Sequence, residues 1–222
     1  MTHAAPNMSQ MTGAIVQEPI VYVVDDDVIV CKSLGLLFQS VDLRAELFAS
    51  ARELLQRKLP SVPSCIILDV RLPGLSGFEL QSELTKANVR IPIIFMTAHG
   101  DIPMSVRAMK GGAIDFITKP FRDQDMLEAV TSAINRDRER LSMESARLDL
   151  QNRFNELTLR EQQVMALVTA GLMNKQAAAE MGLKEITVKI HRGHMMRKMD
   201  AKSLADLVKM AEILGVSRVG HV

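Results

Sequence analysis

Apolar residues over the first 135 positions fall into two alternating rhythms. Short unbroken runs occur at 20–24, 64–68, 91–96 and 113–118, with a weaker one at Leu43 to Leu47. Between them, apolar residues recur at helical spacing over Val28 to Gln39, Arg52 to Lys58, Gly77 to Lys86, Pro103 to Lys110 and Asp123 to Ile134. Continuous apolar runs suit strands covered on both faces. Five of them alternating with five helices predict an α/β unit with a doubly wound parallel sheet. Past Asn135 the rhythm fades into a charged stretch with no Gly or Pro, in which Leu141 and Leu148 are too sparse for a core stripe. It reads as an extension of the fifth helix over 137–155, acting as a linker, with a short coiled coil as the alternative.

From Leu157 onward the pattern is helical throughout. Thr158, with Glu161 three residues on, forms a capping box ahead of Val164, Leu167 and Val168, and Gly171 closes that helix. A short helix from Asn174 to Met181 ends at Gly182. A longer one spans Glu185 to Met199, and Ser203 caps a last helix reaching about Leu214. Helix, short helix, tight glycine turn, helix is the helix-turn-helix outline. Ala178 is small where two helices must approach, and Gly182 admits a left-handed turn. On a helical wheel Val188, Met195 and Met199 share one face. Lys189, Ile190, Gly193, His194 and Arg197 share the other, with Arg192 at the margin.

Charge sharpens this division. The chain carries +1 overall, but residues 1–135 hold 12 basic against 15 acidic side chains. Residues 151–222 hold 11 against 7. An acidic front and a basic back suit different partners, with nucleic acid a candidate for the back. Cys31 and Cys65 both lie in apolar segments with no metal-type spacing, as expected of core thiols in a reducing compartment. No run approaches the roughly 18 apolar residues of a membrane span. The first 18 residues lack the basic start and apolar core of a signal peptide. They read as a flexible tail, and the expected location is the cytoplasm, with no membrane partner.

The candidate chemistry sits at the strand ends. The first run stops at Asp25-Asp26-Asp27, the third at Asp69, the fourth at Thr97, and the last at Lys119-Pro120. Ligands of open α/β sheets bind outside the carboxyl ends of the strands. Three adjacent acids repel one another. Asp27 can cap the next helix, but capping alone does not explain the cluster. Mg²⁺, which prefers one or two carboxylates plus waters, would offset the repulsion. A cis bond is affordable before Pro120 and would aim the Lys119 ammonium at the same place. Acids for a cation, one acid to be modified, and a hydroxyl with an ammonium for an anion describe a phosphoryl-accepting site. Asp25-Asp26-Asp27 is also an Asp-x-Asp pattern, as in haloacid-dehalogenase-like phosphatases. That family gives Asp69 no necessary role, and no later acidic pair completes its metal site.

Residues 19–125 resemble the receiver domain of two-component response regulators. The matches are Val23-Val24-Asp25-Asp26-Asp27, Leu68-Asp69-Val70-Arg71-Leu72-Pro73-Gly74, Met96-Thr97-Ala98-His99-Gly100-Asp101, Gly112-Ala113-Ile114-Asp115-Phe116 and Lys119-Pro120-Phe121. The resemblance implies that Asp69 is the phosphoacceptor. Asp26, Asp69 and the Arg71 backbone carbonyl would hold Mg²⁺, with Asp25 in the outer shell. Thr97 and Lys119 would bind the phosphoryl group, and Phe116 takes the switch-aromatic position, where many relatives carry Tyr. Leu157-Thr158-Leu159-Arg160-Glu161, Asn174-Lys175 and Thr187-Val188-Lys189-Ile190-His191-Arg192 resemble the LuxR-type DNA-binding domain. That likeness implies DNA contacts from Lys189, Ile190, Arg192, Gly193, His194 and Arg197.

The combination resembles the NarL/FixJ class and leans toward FixJ. The implied layout is a tail over 1–18, a receiver over 19–136, a linker over 137–155 and a DNA-binding domain over 156–222. Implied partners are a sensor histidine kinase, double-stranded DNA and a second copy of the chain when phosphorylated, with room for RNA polymerase. The chain would be a transcription factor and not an enzyme. The FixJ likeness points toward nitrogen fixation, nodulation or oxygen response.

Overall fold

The computed structural model describes residues 18–216, so the expected N-terminal tail lies almost wholly outside the described residues. They form two compact units, divided between Leu141 and Ser142. The first runs β1 (Ile20–Val24), α1 (Val28–Gln39), β2 (Arg44–Phe48), α2 (Ala51–Gln56), β3 (Ser64–Asp69), α3 (Gly77–Lys86), β4 (Ile93–Thr97), α4 (Ile102–Lys110), β5 (Asp115–Thr118) and α5 (Asp123–Asn155), whose later turns belong to the second unit. All strands pair in parallel, in the order β2-β1-β3-β4-β5. Strand alternation sends Tyr22, Val24, Ile66, Leu68 and Phe95 to one face, where they pack with Leu54, Leu80 and Leu84. Val21, Val23, Ile67, Ile94 and Met96 go to the other, against Leu34, Phe38, Met126 and Val130. Both cysteines are buried free thiols.

The boundaries differ from the sequence pattern by a residue or two, for local reasons. β4 starts at Ile93 instead of 91 because Pro92 has no N–H for the ladder; its carbonyl accepts from the Ile66 amide at 2.8 Å. β5 starts at Asp115 because the Ala113 N–H turns back to the Ala108 carbonyl. α4 gains Ile102 because Asp101 caps it, accepting the Met104 N–H at 2.7 Å. In the charged run of α5, Asp137 is fully buried. It accepts the Ser64 N–H at 2.9 Å and pairs with Arg140 at 2.8 Å.

The second unit holds α6 (Leu159–Thr169), α7 (Asn174–Met181), α8 (Glu185–Met199) and α9 (Leu204–Leu214). Their core includes Val164, Met165, Val168, Ala177, Val188 and Met195. Both halves of the Thr158–Glu161 capping box form. Gly182 closes α7 at φ 64°, the left-handed conformation that the turn into α8 requires. No helix among the described residues is long and apolar enough to cross a membrane.

Candidate functional site

Parallel strands in register bring the ends of β1, β3 and β4 to one edge of the sheet, and the residues just beyond them share that edge. Asp25 follows β1 and is almost wholly buried. Its Oδ1 accepts the Asp27 N–H at 2.9 Å, and its Oδ2 accepts from Lys119 Nζ at 2.5 Å. Asp69 ends β3. Its Oδ2 also accepts from Lys119, at 3.0 Å, and its Oδ1 accepts the Arg71 N–H at 3.0 Å. One ammonium thus spans two carboxylates, and the Lys119–Pro120 peptide bond is cis. Asp26 is exposed and makes no hydrogen bond among the described residues. Carboxylate oxygens of Asp25, Asp26 and Asp69 lie within 4.8 Å of one another.

Burial pushes the Asp25 carboxyl above its ordinary value, and the neighbouring Asp69 charge adds to this; hydrogen bonds from Lys119 and the Asp27 amide only partly offset it. Burial opposes the Lys119 charge too. There the two carboxylates outweigh it and hold the ammonium above its usual value. A second cation would be stabilised among these acids. Three carboxylates this close, one of them free of other bonds, fit Mg²⁺, which takes one or two carboxylates and completes its octahedron largely with waters.

Thr97 ends β4, is buried, and accepts the His99 N–H at 3.3 Å, which leaves its own hydroxyl proton to donate. Phe116 in β5 is half-buried against the α3–α4 side of the core. Gly100 lies where Thr97, Phe116 and Thr118 converge: a Cβ there would stand 2.7 Å from Thr118 Cγ2 and 2.9 Å from Phe116 Cε1. Gly77 is likewise required, since a Cβ would collide with the Asp69 backbone carbonyl. Six of the seven predicted receiver residues thus lie along one edge of the sheet, with Arg71 contributing its N–H to the acid, while Phe116 sits two residues before the end of β5, opposite Phe95.

In the second unit α8 divides as the sequence indicates. Val188, Met195 and Met199 are fully buried. Lys189, Ile190, Gly193, His194 and Arg197 are exposed. Lys189 pairs with Glu185 at 3.4 Å, on the exposed surface. Arg192 is half-buried, and its Nη1 donates to Asn174 Oδ1 at 3.0 Å, tying α8 to α7. Ile186 escaped notice in the sequence, yet it is 61% exposed on the Lys189–Ile190 side. An isoleucine one turn before Ile190, opposite the core stripe, was the available signal. Equally unforeseen, buried Glu161 accepts from Lys198 Nζ at 2.7 Å, and His194 Nδ1 lies 3.9 Å from it.

A parallel sheet with acids, a hydroxyl and a lysine at its carboxyl edge, followed by a helix-turn-helix unit, defines a phosphorylation-controlled DNA-binding regulator. Residues 21–131 match the response regulator receiver domain family, and residues 155–211 match the bacterial regulatory proteins of the luxR family. The chain belongs to the response regulators of this FixJ-like class, in which receiver phosphorylation governs DNA binding. It is 60% identical to Nodulation protein W of Bradyrhizobium diazoefficiens over 89% of this chain and 87% of that one. It is 41% identical to the transcriptional regulatory protein FixJ of Azorhizobium caulinodans over 89% and 93%. Among solved structures, the response regulator StyR matches with a TM-score of 0.80 and 47% identity, covering 88% of this chain and 98% of StyR.

Proposed function

We propose that Asp69 takes a phosphoryl group from a phosphohistidine of a sensor kinase, and that this drives dimerisation and sequence-specific DNA binding. The observation that supports it most is the single ammonium of Lys119 held 3.0 Å from Asp69 and 2.5 Å from Asp25. A bond forms between an Asp69 oxygen and phosphorus while the phosphorus–nitrogen bond to the donor breaks. Mg²⁺, held by Asp26, Asp69 and the Arg71 carbonyl with Asp25 in the outer shell, would neutralise charge on the transferring group. Lys119 pairs with the phosphoryl charge, and Thr97 donates its hydroxyl proton to a phosphoryl oxygen. The site acts by positioning and electrostatics. Thr97 engagement and inward rotation of Phe116 carry the change to α4. The chain serves as a phosphoryl acceptor, not as an enzyme with a separate substrate. Asp69→Asn should abolish labelling by acetyl phosphate with Mg²⁺, while Asp25→Asn keeps detectable labelling. The reverse pattern would favour a phosphatase chemistry centred on Asp25.

The layout proposed is 19–136 for the receiver, 137–155 for the linker and 156–222 for DNA, with Asp137 and Arg140 also packed on the first. The protein works in the cytoplasm, with RNA polymerase a further contact. Met104, Arg107, Met109 and Lys110 on α4 form the face that phosphorylation reshapes for a second copy. Light scattering should show mainly monomer before phosphorylation and dimer after it. An unchanged stable dimer would rule this out. The name of Nodulation protein W supports a role in the nodulation branch.

On DNA, α8 enters the major groove with Lys189, Ile190, Gly193, His194 and Arg197 facing it and Arg192 at its margin. Binding should weaken steeply with salt as counterions are released. Lys189→Ala should cost about 1–3 kcal/mol of affinity if the lysine reads a base. A loss equal on cognate and scrambled DNA, with a shallower salt slope, would assign it to a phosphate. If the isolated 151–222 fragment shows no DNA binding and Lys189→Ala is also silent in the phosphorylated full-length protein, the helix assignment fails.

A further inference from the structure

A second concavity in the first unit lies away from the strand-end acids. It is a groove of about 550 Å³ at the other edge of the sheet, where β4 begins. Its polar walls are Gln81 in the middle of α3, Arg90, the glycine pair Gly111-Gly112 after α4, and Arg136 and Arg140 on α5. All belong to one compact unit. Leu84, Val89 and Ile114 add an apolar side.

Three observations give the groove a chemical preference. Gln81 is 6% exposed, and its Nε2 is buried with no hydrogen-bond partner among the described residues. A buried amide donor left unmatched costs about 1–3 kcal/mol, so an acceptor placed beside it, whether water or an anionic ligand, is favoured. The neighbouring glycine is needed for this amide: a Cβ on Gly111 would collide with it. Second, Arg136 has no partner among the described residues, and Arg90 gives its Nε only to the neutral amide of Asn88, at 3.1 Å. Third, the acid in the wall is already committed. Asp137 spends one oxygen on Arg140 and the other on the Ser64 N–H. The groove therefore offers unmatched donors and unpaired positive charge beside an apolar wall.

We propose that this groove binds a small organic anion, with a carboxylate or phosphate meeting Arg90, Arg136 and the Gln81 amide and an apolar body against Leu84, Val89 and Ile114. An occupant would bridge the α4–β5 connection to α5 and so touch two elements at once. The site is separate from the phosphoryl site and does not depend on it.

Backbone and side-chain amide NMR on the full chain tests this with three probes. Benzoate carries charge and ring, inorganic phosphate carries charge alone, and benzyl alcohol carries ring alone. Benzoate should move the signals of Gly111, Gly112, Ile114 and the Gln81 side-chain amide in a saturable way. Phosphate should move them more weakly and benzyl alcohol hardly at all. Arg136→Ala should weaken benzoate by about tenfold, the loss of one charge-assisted hydrogen bond. Gln81→Leu should remove the remaining selectivity for the anion over the alcohol, with an unchanged or raised melting temperature showing that the fold survives. Static signals with benzoate and phosphate would assign the groove to water alone. Equal shifts with benzyl alcohol, or benzoate binding that ignores Arg136→Ala combined with Arg90→Ala, would overturn the anion assignment.

Discussion

Asp25 in the first unit and Glu161 in the second are both buried carboxylates gripped by a lysine, at 2.5 and 2.7 Å. Their titrations shift in opposite directions. Burial dominates at Asp25 and raises its carboxyl, because Lys119 is divided between two acids and the Asp69 charge stands opposite. Burial also opposes the charge at Glu161. There the Lys198 ammonium and the Thr158 cap outweigh it and pull the carboxyl below its usual range. The Thr158 N–H reaches Glu161 Oε2 at 2.8 Å, so one acid collects a cation and a helix cap. The difference separates a structural site from a reactive one. Glu161 is satisfied and holds α6 to α8. The Asp25–Asp69 pair is short of positive charge, which leaves the site ready for a cation and a phosphoryl group at some expense in stability.

The largest effect that would break this contrast comes from Glu161→Ala. It strands the Thr158 N–H and leaves the Lys198 ammonium with only the Glu156 carbonyl, at 3.2 Å, and should cost about 2 kcal/mol. Lys198 is one-third exposed and can recover some hydration, which keeps the cost below that of a fully buried pair. Asp25→Asn should act in the other direction. Asparagine can still accept the Asp27 N–H, Lys119 keeps Asp69, and one of two facing charges is gone. An increase of about 1 kcal/mol is expected in metal-free buffer. Tyr22 is the one tyrosine, the chain has no tryptophan, and Tyr22 lies in β1. Its fluorescence therefore reports the first unit during denaturation, while hydrogen exchange at Val164 to Val168 reports the second. If Asp25→Asn destabilises the first unit, the carboxylates are not in conflict.

The sequence was informative where a residue's role is set by its own strand or helix. Asp69, Thr97 and Lys119 stand at the ends of apolar runs, and a parallel sheet carries such ends to one edge whatever lies between. Thr158 and Glu161 are three residues apart, so their capping box is local and legible. Partnerships across the fold were not. Asp137 is 73 residues from Ser64, and nothing in a charged helical run marks the one acid that turns inward. Lys198 and Glu161 are 37 apart. Periodicity tells which face a side chain takes, not what it meets there. The three adjacent acids also look alike in sequence, and only packing separates buried Asp25 from exposed Asp26.

The smallest expected effect is a difference in the pH dependence of the two units. Glu161 titrates lower in the folded protein than its ordinary 4.5. Its contribution is full above that value and is lost as pH falls through the folded one, because the unfolded chain then binds more protons. Asp25 titrates above its ordinary 3.8 in the fold. Between the two values the folded state holds the extra proton, so stability declines as pH rises through this window and is regained on acidification. Descending from neutral pH without metal, the first unit should therefore gain from Asp25 before the second loses from Glu161. Denaturant midpoints followed by Tyr22 fluorescence and by exchange at Val164 to Val168 should separate over this range. The separation should shrink in Asp25→Asn, which removes the titrating group from the first unit. Midpoints that fall together in the parent protein, with no effect of Asp25→Asn on either, would mean that the two lysine-held acids are electrostatically equivalent after all.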